Sequence, residues 1–161
     1  MSTSYEPIFD KFIKKLKNDD QFFSYKGMDT EELEEILKDH LNSLLDRAVS
    51  YIYKFGNPDI NLYNRSDDIQ KFDVDLVNQE IDLLSDLMYT CYIQEQRNKI
   101  KAFGLTFKSS ELNVFSPANE RKSTLDMIKG LEEESINSIQ NYLSRERKTW
   151  EYKTIYRSGS T

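Results

Sequence analysis

The sequence predicts an all-α protein, a small bundle of about four helices. Three observations carry that expectation. The stretch Asp75–Phe103 places Leu76, Val77, Ile81, Leu83, Leu84, Leu87, Met88, Cys91 and Tyr92 within about half of a helix circumference at 100° per residue. The chain holds only five Gly and three Pro, few for an all-β protein. Its hydrophobic share of 38% against a charged share of 31% suits helices with one solvated face.

Taken in order, Pro7 sits at a first-turn position and opens a short helix bearing Ile8, Phe9, Phe12, Ile13 and Leu16 at spacings of three and four. Lys14, Lys15 and Lys17 form its wet side; docking onto the core is favoured over a membrane surface. A connector, Asn18–Lys26, carries Phe22, Phe23 and Tyr25, which call for apolar surface. Asp29-Thr30-Glu31-Glu32 starts the second helix, with acids in the first turn. It runs to about Tyr53 with one stripe of Leu33, Ile36, Leu37, Leu41, Leu44, Leu45, Ala48, Val49 and Ile52. His40, the only histidine, lies on that stripe and is read as a half-buried structural residue. Phe55-Gly56-Asn57-Pro58 stops the helix.

The connection Asp59–Val74 is rich in Asp and Asn, but a calcium loop needs Gly and Glu where Asn64 and Gln70 stand. It is read as an ordered loop of turns and caps, long enough to reach a neighbouring chain. The central helix follows, with Asp75 as its expected cap and Gly104 as its expected stop. Its width of apolar face calls for several neighbours at once. Leu105–Phe115 reads as irregular, with room for a short strand or hairpin over Leu105–Lys108 and Leu112–Phe115. Ser116-Pro117 then starts the last helix, expected to reach about Arg147 and to run about 45 Å. Leu125, Ile128, Leu131, Ile136, Ile139, Tyr142 and Leu143 line one side; Glu132 and Ser135 fall in the same stripe, so the seam is not uniformly dry. A compact globule of this size is roughly 40 Å across, so a helix of that length projects or meets another chain.

The expected division is a helical domain over residues 1–147 and an extended C-terminal interaction tail over 148–161. From Lys148 to Arg157, Trp150, Tyr152, Thr154 and Tyr156 alternate with Glu151, Lys153, Ile155 and Arg157, a period-two pattern that argues for a strand. Aromatic and basic residues mixed in this way make an interface anchor. The tail either returns to its own domain or docks on a partner, where it can add a strand.

The net charge of −6 is uneven. Five basic residues (Arg145, Arg147, Lys148, Lys153, Arg157) against Glu146 and Glu151 give the last seventeen residues +3, leaving −9 on the first 144. An acidic body does not wrap nucleic acid, which needs clustered Lys and Arg. No apolar run is long enough for a membrane span, and Met1–Leu16 does not read as a signal peptide. The single cysteine, Cys91, cannot form an internal disulfide, and a reducing cytoplasm is the simplest compartment. There is no phosphate-cradling glycine loop, no paired Cys or His ligands and no nucleophile elbow. No catalytic residue, cofactor or metal site is expected, and Glu132-Glu133-Glu134 reads as a solvated helix face.

The stretch Asp75-Leu76-Val77-Asn78-Gln79-Glu80-Ile81-Asp82-Leu83-Leu84-Ser85-Asp86-Leu87-Met88 resembles the head–tail connector (adaptor, or head-completion) proteins of tailed bacteriophages. Its flanks share the likeness: Asp29-Thr30-Glu31-Glu32-Leu33 and Phe72-Asp73 before it, Phe107-Lys108-Ser109-Ser110 and Phe115-Ser116-Pro117-Ala118-Asn119 after it. The similarity is one of order over residues 5–145. It departs at Tyr92, where such proteins tend to carry Trp. The resemblance implies a non-enzymatic virion protein that forms a ring, usually a dodecamer, under the portal. Such a ring extends the DNA channel, lets double-stranded DNA pass without sequence-specific binding, and docks a tail or stopper protein. It also implies that Trp150, Tyr152, Ile155 and Tyr156, helped by Arg147, Lys148 and Lys153, anchor the tail to the portal. A helical adaptor for a single protein partner, and another neck or tail-completion subunit, stand as the alternatives.

Overall fold

The computed structural model describes residues 2–16, 30–106 and 118–154. Among them the elements run β1 (Thr3–Ser4), α1 (Glu6–Lys15), α2 (Thr30–Tyr53), β2 (Arg65–Ser66), β3 (Lys71–Phe72), α3 (Asn78–Thr106) and α4 (Ala118–Leu143). The fold is a small helical bundle with a minor antiparallel sheet in the order β1-β3-β2. The connector with Phe22, Phe23 and Tyr25 lies outside the described residues.

α3 is the axis of the bundle, and α1, α2 and α4 all pack on it. Its buried residues Ile81, Leu83, Leu84, Leu87, Met88, Cys91 and Tyr92 spread round enough of the helix to meet the three partners. α1 contributes Ile8, Phe9 and Phe12, with Leu16 just beyond its end. Glu6 in its first turn and Lys14 and Lys15 in its last suit the helix dipole. Lys11 and Lys15 reach Asp82 and Asp86, one turn apart on α3, and so fix the register between the two helices. α2 buries Leu44, Leu45, Ala48, Val49 and Ile52 in its C-terminal half, while Ile36, Leu37 and Leu41 are only half-buried. His40 is half-buried as well, with Nε2 3.2 Å from Glu95 Oε2, and Arg47 pairs with the other oxygen of Glu95.

The seam between α3 and α4 is mixed, as Glu132 and Ser135 require. Thr90 and Ser135 share a buried hydroxyl–hydroxyl bond of 2.8 Å. Glu132 accepts from Arg97 at 2.6 Å and from Gln94 at 3.0 Å. Ile128, Ile139 and Tyr142 are the apolar contacts.

Four boundaries differ from expectation, each for a local reason. α3 starts at Asn78 and not at Asp75, because the Glu80 side chain reaches back to the Val77 N–H at 2.8 Å and caps the helix there. It continues through Gly104 to Thr106, since one glycine costs a helix only about 1 kcal/mol and is not a stop by itself. Leu105 and Thr106 are therefore helical, and the remainder of the hairpin expected over 105–115 lies outside the described residues. A hairpin that the sequence does not suggest lies inside the Asp59–Val74 connection. Arg65 pairs with Phe72 and Ser66 with Lys71, and the N-terminal strand adds Thr3 and Ser4 to the same β3 residues. The turn holds Gln70 at a φ of 50°. Two-residue strands are too short to give a periodic signal.

The fourth difference is at the C terminus. α4 ends at Leu143, and at 26 residues it is about 39 Å long. The described part of the segment after it, Ser144–Thr154, reverses and bonds back to the bundle; residues 155–161 of the expected tail lie outside the described residues. The folded body thus continues past 147, the expected domain boundary, to at least Thr154.

Gly130 lies exposed inside α4, and a Cβ built there meets nothing within 4 Å. Gly130→Ala is expected to raise unfolding stability by about 0.5–1 kcal/mol, read as a higher urea midpoint with unchanged slope. An unchanged midpoint would show that α4 is not continuous through this residue.

Candidate functional site

Five of the seven residues expected to bind a partner, Arg147, Lys148, Trp150, Tyr152 and Lys153, lie in the strap Ser144–Thr154 that closes over the C-terminal end of α4. The strap is a miniature hairpin. Glu146 N–H donates to Glu151 O at 2.7 Å, Lys153 N–H to Ser144 O at 2.9 Å, and Arg145 bridges Tyr152 antiparallel. Trp150 N–H donates back to Glu146 O at 2.8 Å, and Trp150 itself sits at a φ of 62°. The alternation seen in the sequence is the return arm of this hairpin.

Arg147 is turned inward. Its guanidinium grips both oxygens of Glu80, Nε to Oε1 at 2.5 Å and Nη2 to Oε2 at 2.8 Å, and also donates to the Asp75 carbonyl. Glu80 is 1% exposed. Oε1 accepts further from Tyr142 Oη at 2.8 Å, and Oε2 from the Val77 N–H. Four donors occupy the four lone-pair directions of this carboxylate. Glu80 therefore has no lone pair left for proton abstraction and works as a structural staple joining the start of α3, the end of α4 and the strap.

The other residues divide. Lys153 Nζ bonds Asp59 Oδ1 at 2.8 Å and the Leu143 carbonyl at 3.0 Å, a cation at the C-terminal end of α4. Trp150 is half-buried against the core. Arg145 stacks on the rings of Trp150 and Tyr152, at 5.7 and 4.1 Å to their centroids, and donates to the Trp150 carbonyl at 2.8 Å. Lys148 is exposed, and Tyr152 is 64% exposed. Ile155 and Tyr156 lie outside the described residues. Of the expected anchors, then, Arg147, Trp150 and Lys153 hold their own bundle in this structure, and Tyr152 and Lys148 face water.

Sequence reasoning does not bring Glu80, Tyr142, Arg145 and Asp59 to this site: it reads Tyr142 as part of the α4 stripe, Arg145 as one of the basic residues and Asp59 as part of a loop. A signal for the first was present: a glutamate within the apolar arc of the central helix, three residues after its cap. The strap borders a groove between α3 and α4. One cleft of about 320 Å³ is lined by Trp150, Arg145, Gln79 and Asn141; a second of about 520 Å³, sharing Leu83, Asp86 and Ser138 with it, continues to Lys15 and Leu131. Among the described residues no group of three or more His, Cys, Asp or Glu could hold a metal ion. Cys91 is buried, and burial pushes its thiol up to about 11.

Burial and the neighbouring Glu80 charge raise the Tyr142 hydroxyl well above its ordinary value of 10.0; burial and a hydrogen bond to Asp67 do the same for Tyr5. The unfolded chain gives up these protons near pH 10 while the folded chain keeps them. The stability these two groups contribute is thus constant below about pH 9 and is lost as pH rises above about 10. Tyr142→Phe is expected to cost about 1–2 kcal/mol at neutral pH, through the lost bond to Glu80, and to shallow the alkaline decline. Urea midpoints measured from pH 7 upward check this; parallel curves for the two proteins would contradict it.

Comparison of the chain with protein-family models, with curated proteins and with solved structures finds no match.

Proposed function

We propose that the chain is a structural, non-enzymatic subunit of a tailed-phage neck that forms a ring beneath the portal. The ring would extend the DNA channel and present a surface to a tail or stopper protein. The observation that carries this reading is on α4. Leu125 and Met127 are 38% and 56% exposed, and two positions on a helix point about 200° apart. One rod thus offers apolar side chains in two directions. A head-to-tail ring needs that, because each copy meets its two neighbours through different surfaces. The connector-like order of segments over residues 5–145 supports the same reading. So does the −9 carried by the first 144 residues: like charge lets DNA slide through a lumen without adhering. On this proposal the protein resides in the virion neck after assembly in the host cytoplasm. Tyr152 and Lys148, exposed on the strap, are the side chains best placed to meet the portal. Another neck or tail-completion subunit would differ only in its position along that axis.

A second reading is favoured by the strap itself. Its return onto the bundle leaves a self-contained unit, which suits a helical adaptor that binds one protein partner as a monomer or dimer.

Reconstitution with the portal protein of the same genome separates the two. The neck reading expects a closed ring on the portal by native mass and electron microscopy. The paired change Leu125→Glu and Met127→Glu should retain helix content but lower ring formation at least tenfold, the effect of about 1.4 kcal/mol per contact surface. A chain that stays monomeric with the portal present, or a double variant that still closes the ring, would contradict it. The deletion used should begin after Thr154, since removing Arg147 strips the guanidinium from buried Glu80.

A further inference from the structure

The strap is attached in an unusual way for the end of a bundle. Most of its side chains are exposed, and only Arg145, Arg147 and Trp150 are half-buried. Its hold is mainly polar: Arg147 on Glu80, and Lys153 on Asp59 and on the α4 terminus. Against that hold stand two local costs. Trp150, a bulky aromatic, is kept in the left-handed region of backbone space. Arg145 Nε is buried with no hydrogen-bond partner.

The bundle, meanwhile, does not need the strap to complete its own secondary structure. With Arg147 gone, Glu80 keeps the Val77 N–H that caps α3 and the Tyr142 hydroxyl from α4. Opening would let water reach one end of Glu80, so the carboxylate would be solvated and not stranded. It would also release Arg145 and clear the Trp150 side of the α3–α4 groove, where Gln79, Ser138 and Asn141 stand.

We infer that the strap is a releasable latch: closed, the Arg147–Glu80 pair keeps Trp150 on its own bundle; open, Arg145, Trp150 and Tyr152 leave together as an aromatic–cation unit for a partner polypeptide. The partner surface that fits this unit is apolar and acidic, able to take two rings and a guanidinium. Free protomers thus keep Trp150 on their own bundle while Tyr152 stays exposed, and the energy of the partner contact is set against the closed pair. This rests on the reading that the C-terminal segment meets a partner, but the latch itself can be measured on the isolated chain.

Trp150 is the only tryptophan, so its fluorescence reports the strap without a label. In Arg147→Gln the buried Glu80 charge loses its counter-ion and favours water, which shifts the closed–open balance roughly a hundredfold toward open. The expected result is red-shifted emission and stronger acrylamide quenching, with far-UV ellipticity retained. Lys153→Gln, which leaves Glu80 paired, should move both readings the same way by less. Hydrogen exchange of the unaltered chain gives a test with no substitution: the Trp150 and Lys153 amides should exchange at least about a hundredfold faster than those of the α3 core. Emission unchanged in both variants would overturn the latch. So would strap amides as slow as those of α3, or release of Trp150 only together with loss of helix. Failure of ring formation on the portal would bear on the neck reading alone and leave these outcomes as they stand.

Discussion

One buried carboxylate ties this fold together. Glu80 sits where the start of α3, the end of α4 and the returning C-terminal strap converge, and each supplies a donor: the Val77 amide, the Tyr142 hydroxyl and the Arg147 guanidinium. Taking a charge this deep out of water costs several kcal/mol before any partner is counted. With the strap closed it is sustained because every lone pair is used and because one partner carries the opposite charge in a planar fork. The hydrogen bond to Glu80 correspondingly raises the affinity of Arg147 for its proton. α3 and α4 could pack through Ile139, Leu84 and Leu87 without such a group. What Glu80 adds is position, because its short bonds admit a single axial offset between the two long helices and a single path for the strap.

Much of this architecture can be read from the sequence, and the parts that cannot share a physical cause. Long elements with sustained periodicity announce themselves: the α2 stripe from Ile36 to Ile52, the broad face of α3, and the α4 side bearing Ile128, Ile139 and Tyr142. Even the wet seam is legible, because Glu132 and Ser135 interrupt an otherwise apolar row and need the Arg97 and Thr90 that face them. The misses lie where tertiary contacts override local pattern. The β2–β3 hairpin rests on two residue pairs and a third strand from the other end of the chain, none of which has a local signature. The cap of α3 is set by Glu80 and not by the nearer Asp75. The strap alternates like a strand, yet it turns back because Arg147 finds Glu80, sixty-seven positions earlier in the chain. The candidate site was legible in composition, as an aromatic–basic tail, but not in its orientation.

That orientation changes how the tail relates to function. A basic tail on an acidic body has two destinations, its own protomer or another polypeptide, and this structure holds it on its own protomer. Only Arg145, Arg147 and Trp150 are half-buried in the closed strap; Tyr152 and Lys148 are among its exposed side chains. The strap holds Arg147 and Trp150 against the bundle while Tyr152 and Lys148 stay in water, and α4 leaves Leu125 and Met127 exposed. The same features suit any partner that can displace the strap. α1 and the small sheet take no part in this. α1 packs on α3 as well, with the Tyr5 and Phe72 rings in tilted contact at 5.1 Å and Asp67 accepting from the Tyr5 hydroxyl.

The most direct measurement is a double-mutant cycle on Glu80 and Arg147, using Glu80→Gln, Arg147→Gln and the pair, with unfolding free energies from urea titration. If Glu80 and Arg147 act as one unit, the two single losses should sum to more than the loss in the double variant, by a coupling of about 2–3 kcal/mol. Additive losses, with coupling near zero, would mean that the strap and the α3–α4 offset are held by something other than this ion pair.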